Sequence, residues 1–236
     1  MEIEIIPAVM PSSFADLREK LSRVVGAAPL VQIDVMDGKF VPSRSWPYGK
    51  HDDNFEKILA EEEGMPYWEE MEFEIDLMVS DVAEKIEEWI KTGAMRFILH
   101  VESLPDALAT LKAIRDEYGY PRDSIFSPEL GLAINPDTPN SALEPLLAEA
   151  DFVQFMGISK IGYQGQPFDQ RVIEKIRQFR AAHPDISISV DGGVSVETAG
   201  ALAEAGANRL VSGSAVFGSS NIMQAIRELE DAAGGN

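Results

Sequence analysis

The stretch Ile186-Ser-Ile-Ser-Val-Asp-Gly-Gly193, with Arg209-Leu-Val-Ser-Gly-Ser-Ala215 after it, decides how this chain folds. Each run opens on aliphatic and β-branched residues and breaks at glycine. Between them Val196, Ala199, Leu202 and Ala203 recur at the three- and four-residue spacing of one helix face. Strand, glycine-rich loop, helix, strand is a βαβ unit, whose strands lie parallel because the helix carries the chain back across the sheet.

The same alternation extends back to the N-terminus. Strands are predicted at Ile3–Val9, Pro29–Asp34, Phe73–Leu77, Arg96–His100, Ser127–Ala133, Asp151–Met156, Ile186–Val190 and Arg209–Val211. Helices are predicted from the stripes Phe14/Leu17/Leu21, Val82/Ile86/Trp89, Val172/Ile176/Phe179 and Ile222/Ile226/Leu229, and over Leu104–Glu117 and Asn140–Glu149. Eight such units are what close an α/β (β/α)8 TIM barrel, expected here as one domain over residues 1–236. An open doubly wound sheet is the rival, but no Gly-x-Gly-x-x-Gly follows the first strand. Residues 44–70, between strands two and three, form the one irregular insertion. It holds Trp46, Tyr48, Tyr67 and Trp68 and a short helix over Asn54–Glu63, and reads as part of a lid, a subunit contact or a solvated loop.

Composition narrows the function classes. The formal net charge of −20 should repel nucleic acid and anionic membranes, so neither is an expected partner. A phosphate ligand would have to be held by local backbone N–H groups, against the overall field. The absence of cysteine excludes disulfides, thiolate zinc sites and cysteine nucleophiles. No apolar run approaches the roughly 18 residues of a membrane span, and the acidic start Met1-Glu-Ile-Glu-Ile5 lacks a basic n-region, so a cytoplasmic location is expected.

In a β/α barrel, functional groups sit at the C-terminal ends of the strands. Asp34, Asp76 and Asp191 all fall there. Carboxylates crowded into one mouth need a metal, a proton or a hydrogen-bonding partner to offset repulsion. Gly192 and Gly193 after the seventh strand and Gly213 and Ser214 after the eighth suit a phosphate cradle, where missing Cβ atoms let backbone N–H groups approach an anion. Gly162, Gly165 and Gln166 supply a loop able to close over a ligand.

Five segments together resemble the ribulose-phosphate 3-epimerase family: Asp34-Val-Met-Asp-Gly-Lys-Phe-Val-Pro42, Asp76-Leu-Met-Val79, Gly131-Leu-Ala-Ile-Asn-Pro-Asp-Thr-Pro139, Asp191-Gly-Gly193 and Gly213-Ser-Ala-Val-Phe-Gly218. The resemblance implies an isomerase of carbohydrate metabolism, in the pentose phosphate pathway, that inverts C3 of a ketose phosphate such as ribulose 5-phosphate or xylulose 5-phosphate. It implies Asp34 and Asp191 as the acid/base pair acting through an enediolate, with Met36, Met78 and Met156 lining the site. It also implies a divalent metal and a homo-oligomer.

The chain departs from the family pattern at several points. Gln32 and Asp76 stand where the family's metal site has two histidines, and Ala8 where a serine is usual. The loop from Met156 to Gln166 lacks the usual proline and is one residue longer. An all-oxygen set of Gln32, Asp34, Asp76 and Asp191 suits Mg²⁺ or Mn²⁺ better than Zn²⁺. Alternatively no metal binds, and a protonated aspartate or Lys160 supports the charge. His100 matches a family position without being expected as a ligand, and His51 and His183 read as surface residues. Two further functions stay open. One is another phosphate-binding barrel enzyme such as a sugar-phosphate decarboxylase, aldolase or isomerase. Met36 disfavours the decarboxylase branch, because it occupies the lysine position of that branch's Asp-x-Lys-x-x-Asp motif. The other is a non-catalytic sugar-phosphate-binding paralogue, suggested by Gln32, Asp76 and Ala8.

Overall fold

The computed structural model describes residues 3–50, 52–124, 127–163 and 165–234. The predicted surface position of His51 therefore lies outside the described residues. Eight parallel strands close on themselves in chain order: β1 (Glu4–Val9), β2 (Leu30–Met36), β3 (Glu72–Met78), β4 (Arg96–His100), β5 (Glu129–Ile134), β6 (Phe152–Met156), β7 (Ser187–Asp191) and β8 (Arg209–Ser212). The helices are α1 (Phe14–Ser22), α2 (Asn54–Leu59), α3 (Val82–Lys91), α4 (Ala107–Tyr118), α5 (Arg171–Ala182), α6 (Val196–Ala205), α7 (Ser214–Phe217) and α8 (Ile222–Ala232). The predicted strands agree with these to within two residues at each end. The chain is a (β/α)8 barrel.

Strand alternation sorts the side chains. Val31, Ile33 and Val35 of β2 and Phe73, Ile75 and Leu77 of β3 join the main core between sheet and helices. The intervening Gln32, Asp34 and Met36, with Glu74, Asp76 and Met78, face the barrel interior. Both faces are covered, so these strands are buried along almost their whole length.

The interior is stratified. At its N-terminal end Arg96 contacts Glu74 at 3.5 Å and Glu129 at 2.6 Å, and Arg209 approaches Glu4 at 3.4 Å. Both guanidiniums lie over the ring of Phe152. That ring fills the space beside Gly131, where an added Cβ would come within 2.3 Å of it. Burial pushes Glu74 up to about 7, even though Arg96 and Arg209 pull the other way. Higher up lie Gln154 and Ser189, joined by a hydrogen bond of 3.0 Å, and above them the carboxylates of the C-terminal mouth.

Two predicted helices are shorter or different. Residues 140–149 make two short 3₁₀ turns, Asn140–Ala142 and Glu144–Leu146. Pro145 has no N–H to donate and clashes with a preceding α-helical turn, yet Leu143 and Leu146 still reach the core. Helix α2 stops at Leu59 rather than Glu63, because Glu61 adopts a left-handed φ of 60° and because three successive glutamates oppose the negative C-terminal end of the helix dipole. The insertion is largely packed rather than solvated. Trp46 is fully buried among Phe14, Phe55 and Trp89, with ring centroids 5.4–5.8 Å away, whereas Trp68 remains 63% exposed. His183 is half-buried against Phe179 and hydrogen-bonded to Glu144, so the surface expectation holds only in part. Among the described residues, no helix is long and apolar enough to cross a membrane.

Candidate active site

The carboxylates meet because of register. In the β2–β3 ladder Asp34 pairs with Asp76, and in the β6–β7 ladder Met156 pairs with Asp191, the last residue of β7. All three point inward, and one oxygen from each lies within 4.8 Å of the others. Gln32, two residues before Asp34 on the same face, donates from Nε2 to Asp34 Oδ1 and to Asp191 Oδ2, at 2.9 Å each. Asp76 is held from the other side. His100 Nε2, at the end of β4, lies 2.8 Å from Asp76 Oδ1, and both side chains are fully buried. Two oxygens in this layer, Gln32 Oε1 and Asp76 Oδ2, have no hydrogen-bond partner among the described residues.

Burial and crowding set the proton affinities. Burial raises Asp34 well above the usual carboxylate range, and the charges of Asp191 and Asp76 raise it further. Burial, then Asp76, raises Asp191 to about 7, against the pull of the Gln32 hydrogen bond and His100. Burial lowers His100, but Asp76 outweighs it and holds the imidazole above its ordinary value. The Asp34/Asp191 pair thus keeps a proton near neutral pH, which neither aspartate would do in water.

Above this layer opens a pocket. Asp34 and Asp191 reach it, as do Met78, Met156, Gly162, Gly165, Gln166, Gly192, Gly193, Gly213 and Ser214 of the sequence expectation. Met36 is the exception, packed one layer back with Val41 and Met78. Gln32 and Asp76 sit beneath the floor, fully buried. Gly192 and Gly193 take φ values of 98° and 70°, which a residue with a Cβ adopts only under strain. Their turn packs so tightly on the chain after β6 that a Cβ on Gly157 would meet Gly192 O at 2.0 Å. Ala8 stands in the wall, and none of the described residues among 44–70 lines the pocket. Lys160 is exposed and is not among the lining residues. Sequence reasoning missed Met10, Ile158 and Tyr163 in the wall. It also missed His100 as the partner of Asp76, although the pairing of Asp76 with Ile98 sets His100 one inward step further along the adjacent strand.

The three carboxylates present only oxygen donors, and Asp76 Oδ2 is unpartnered, so their chemistry fits a hard divalent cation. Gln32 turns its nitrogen to the same carboxylates, whereas a ligand role would use its oxygen.

A family model described as "Ribulose-phosphate 3 epimerase family" matches residues 4–217. The chain belongs to the ribulose-phosphate 3-epimerase family. It is 32% identical to the ribulose-phosphate 3-epimerase of Bacillus subtilis over 233 residues, covering 96% of this chain and 98% of the relative. It is 29% identical to the chloroplastic ribulose-5-phosphate-3-epimerase of Arabidopsis thaliana, over 97% of this chain and 76% of that one. Among solved structures, 3-hexulose-6-phosphate synthase from Salmonella typhimurium superposes over both full lengths with a TM-score of 0.69 at 14% identity, a likeness of fold alone. This ribulose-phosphate 3-epimerase family member is therefore an enzyme of the epimerase type, and its departures at Gln32 and Asp76 sit in the carboxylate layer just described.

Proposed function

We propose that the enzyme interconverts ribulose 5-phosphate and xylulose 5-phosphate, or a closely related pair of ketose phosphates differing at C3. One observation carries this reading: two carboxylates, the buried Asp34 and the half-buried Asp191, project into one pocket from separate strands, joined by a single amide. Inversion needs two proton-transfer groups, because a lone base would return the proton to the face it came from. Burial raises both carboxyls above the usual range, Asp191 to about 7, which favours a site with one ionised and one protonated group. The ionised carboxylate takes the proton from C3, the electron pair moves into an enediolate, and the protonated carboxyl delivers its proton to C3 from the opposite face. Reversing the roles runs the reaction backward. The backbone N–H groups around Gly192, Gly193 and Gly213 receive the phosphate.

Asp34, Asp76 and Asp191 would hold a divalent cation, with Mg²⁺ or Mn²⁺ favoured by the oxygen-only set. When bound it supplies Lewis-acid polarisation of the ketone and enediolate oxygens. The decarboxylase alternative is disfavoured by Met36, which occupies the position where the motif of that branch has a lysine.

The test replaces each aspartate separately. Asp191→Asn and Asp34→Asn should each lower epimerisation by at least about 10³-fold, within the range contributed by a positioned proton-transfer group, while phosphate-ligand binding persists. Each variant should also lose solvent-deuterium exchange at C3 for the epimer whose C3–H faces the missing carboxylate. Retained turnover in either variant refutes the assignment.

A further inference from the structure

We infer that Gln32 is a positioning residue, whose amide NH₂ clamps Asp34 and Asp191 at one working separation. The inference rests on the two-aspartate reading above. Asp34 stands on β2 and Asp191 on β7, and the closed strand order places β1 and β8 between them. The two carboxylates repel each other, and a layer of like charge left to itself would spread. The amide nitrogen of Gln32 carries two hydrogens, and each is spent on a different carboxylate at 2.9 Å.

The orientation is chemically determined. Turned over, the amide would set Oε1 against two carboxylate oxygens and forfeit both bonds. In the orientation present the cost is one unpartnered oxygen, Gln32 Oε1. The side chain is fully buried and lies beneath the pocket floor, so it touches no substrate and acts only through the two acids. A neutral imidazole could not do the same, because it carries a single N–H.

Two substitutions separate this role from that of an oxygen ligand to a metal. Gln32→Met keeps the length of the side chain and removes both donors. Gln32→Glu keeps an oxygen ligand and also removes both donors. With a clamp, both variants should lose about 10²-fold in kcat, the scale expected when catalytic groups are misplaced by about 1 Å, while KM stays within about twofold of wild type. The loss should be the same in enzyme treated with chelator and in enzyme saturated with Mn²⁺, and circular dichroism should confirm that both variants fold. A Gln32→Glu enzyme that keeps wild-type kcat and gains bound Mn²⁺ would overturn the inference in favour of a ligand role. So would a Gln32→Met enzyme with unchanged kcat. If Asp34→Asn and Asp191→Asn abolish turnover while the Gln32 variants do not, only the clamp falls. If the asparagine variants keep turnover, the two-aspartate reading falls with it.

Discussion

The His100–Asp76 pair offers a demanding test of how this enzyme tolerates so many carboxylates in its interior. Both side chains are fully buried and 2.8 Å apart. Asp34 and Asp191 crowd the same space, with an oxygen from each within 4.8 Å of an oxygen of Asp76. His100→Leu conserves bulk, so little of its effect should come from a cavity. What it removes is the one side-chain hydrogen-bond partner of Asp76 among the described residues. Breaking a buried pair by deleting one member costs about 3–5 kcal/mol, because a charge is left in a medium that cannot solvate it. At about 2–4 °C per kcal/mol for a chain of this size, the midpoint of thermal unfolding should fall by roughly 6–20 °C. The assay is thermal and urea unfolding followed by circular dichroism, with divalent ions removed. The pH dependence has a required sign. Because His100 is raised in the folded state, its contribution is present at low pH and is lost as pH rises through its folded value. The gap between wild type and His100→Leu should therefore be wider at pH 6 than at pH 9. Adding Asp76→Asn should recover much of the loss, since the double variant leaves no unpaired charge. A His100→Leu protein within about 1 kcal/mol of wild type would show that the pair does not support the layer, as would a double variant less stable than the single.

Three further outcomes follow from the same structure. With Asp191 raised to about 7 and Asp34 raised well above the usual carboxylate range by burial, kcat/KM should fall below neutrality as the ionised carboxylate takes a proton; a profile flat from about pH 5 to pH 8 would refute the raised pair. Gly157→Ala would drive a Cβ to 2.0 Å from Gly192 O, so the Gly192-Gly193 turn must shift and KM for the phosphorylated substrate should rise at least about tenfold if that turn binds phosphate; an unchanged KM would exclude the turn from that role. Glu74 is raised from 4.5 to about 7 by burial, so the fold loses roughly 3 kcal/mol as pH climbs through that window. Glu74→Gln should flatten this decline in urea titrations at about pH 5 and pH 8, and a persistent slope would place it on other groups.

Much of this architecture is legible in the residues themselves, for physical reasons. Strands such as Phe73–Leu77 are short, alternate apolar with polar residues and are bounded by charged or glycine-containing loops, and β/α alternation leaves few ways to pair them. The positions of Asp34, Asp76 and Asp191 follow from the barrel alone, because strand ends are where loops begin. Less legible were the features decided by contacts across the barrel. The sequence shows that Gln32 shares a face with Asp34, but not that β7 brings Asp191 within reach of the same amide. It places His100 at a strand end, while its partnership with Asp76 depends on the stagger between β3 and β4. The short helices failed for local reasons, a proline at 145 and a left-handed turn at Glu61. Trp46 reads as a loop aromatic until α1, α2 and α3 are seen to enclose it.

The closing seam of the barrel has a consequence for how the enzyme comes into being. Between the strands that bear Asp191 and Asp34 stand only β8 and β1, the last and the first to be synthesised. Val211 lies beside Asp191, Ile6 beside Val211, and Ala8 beside Gln32. A nascent chain halted before Arg209 would own every acid and amide of the reaction with the hoop unfastened between them. Catalytic competence should therefore arrive in one step, late, when β8 docks against β1.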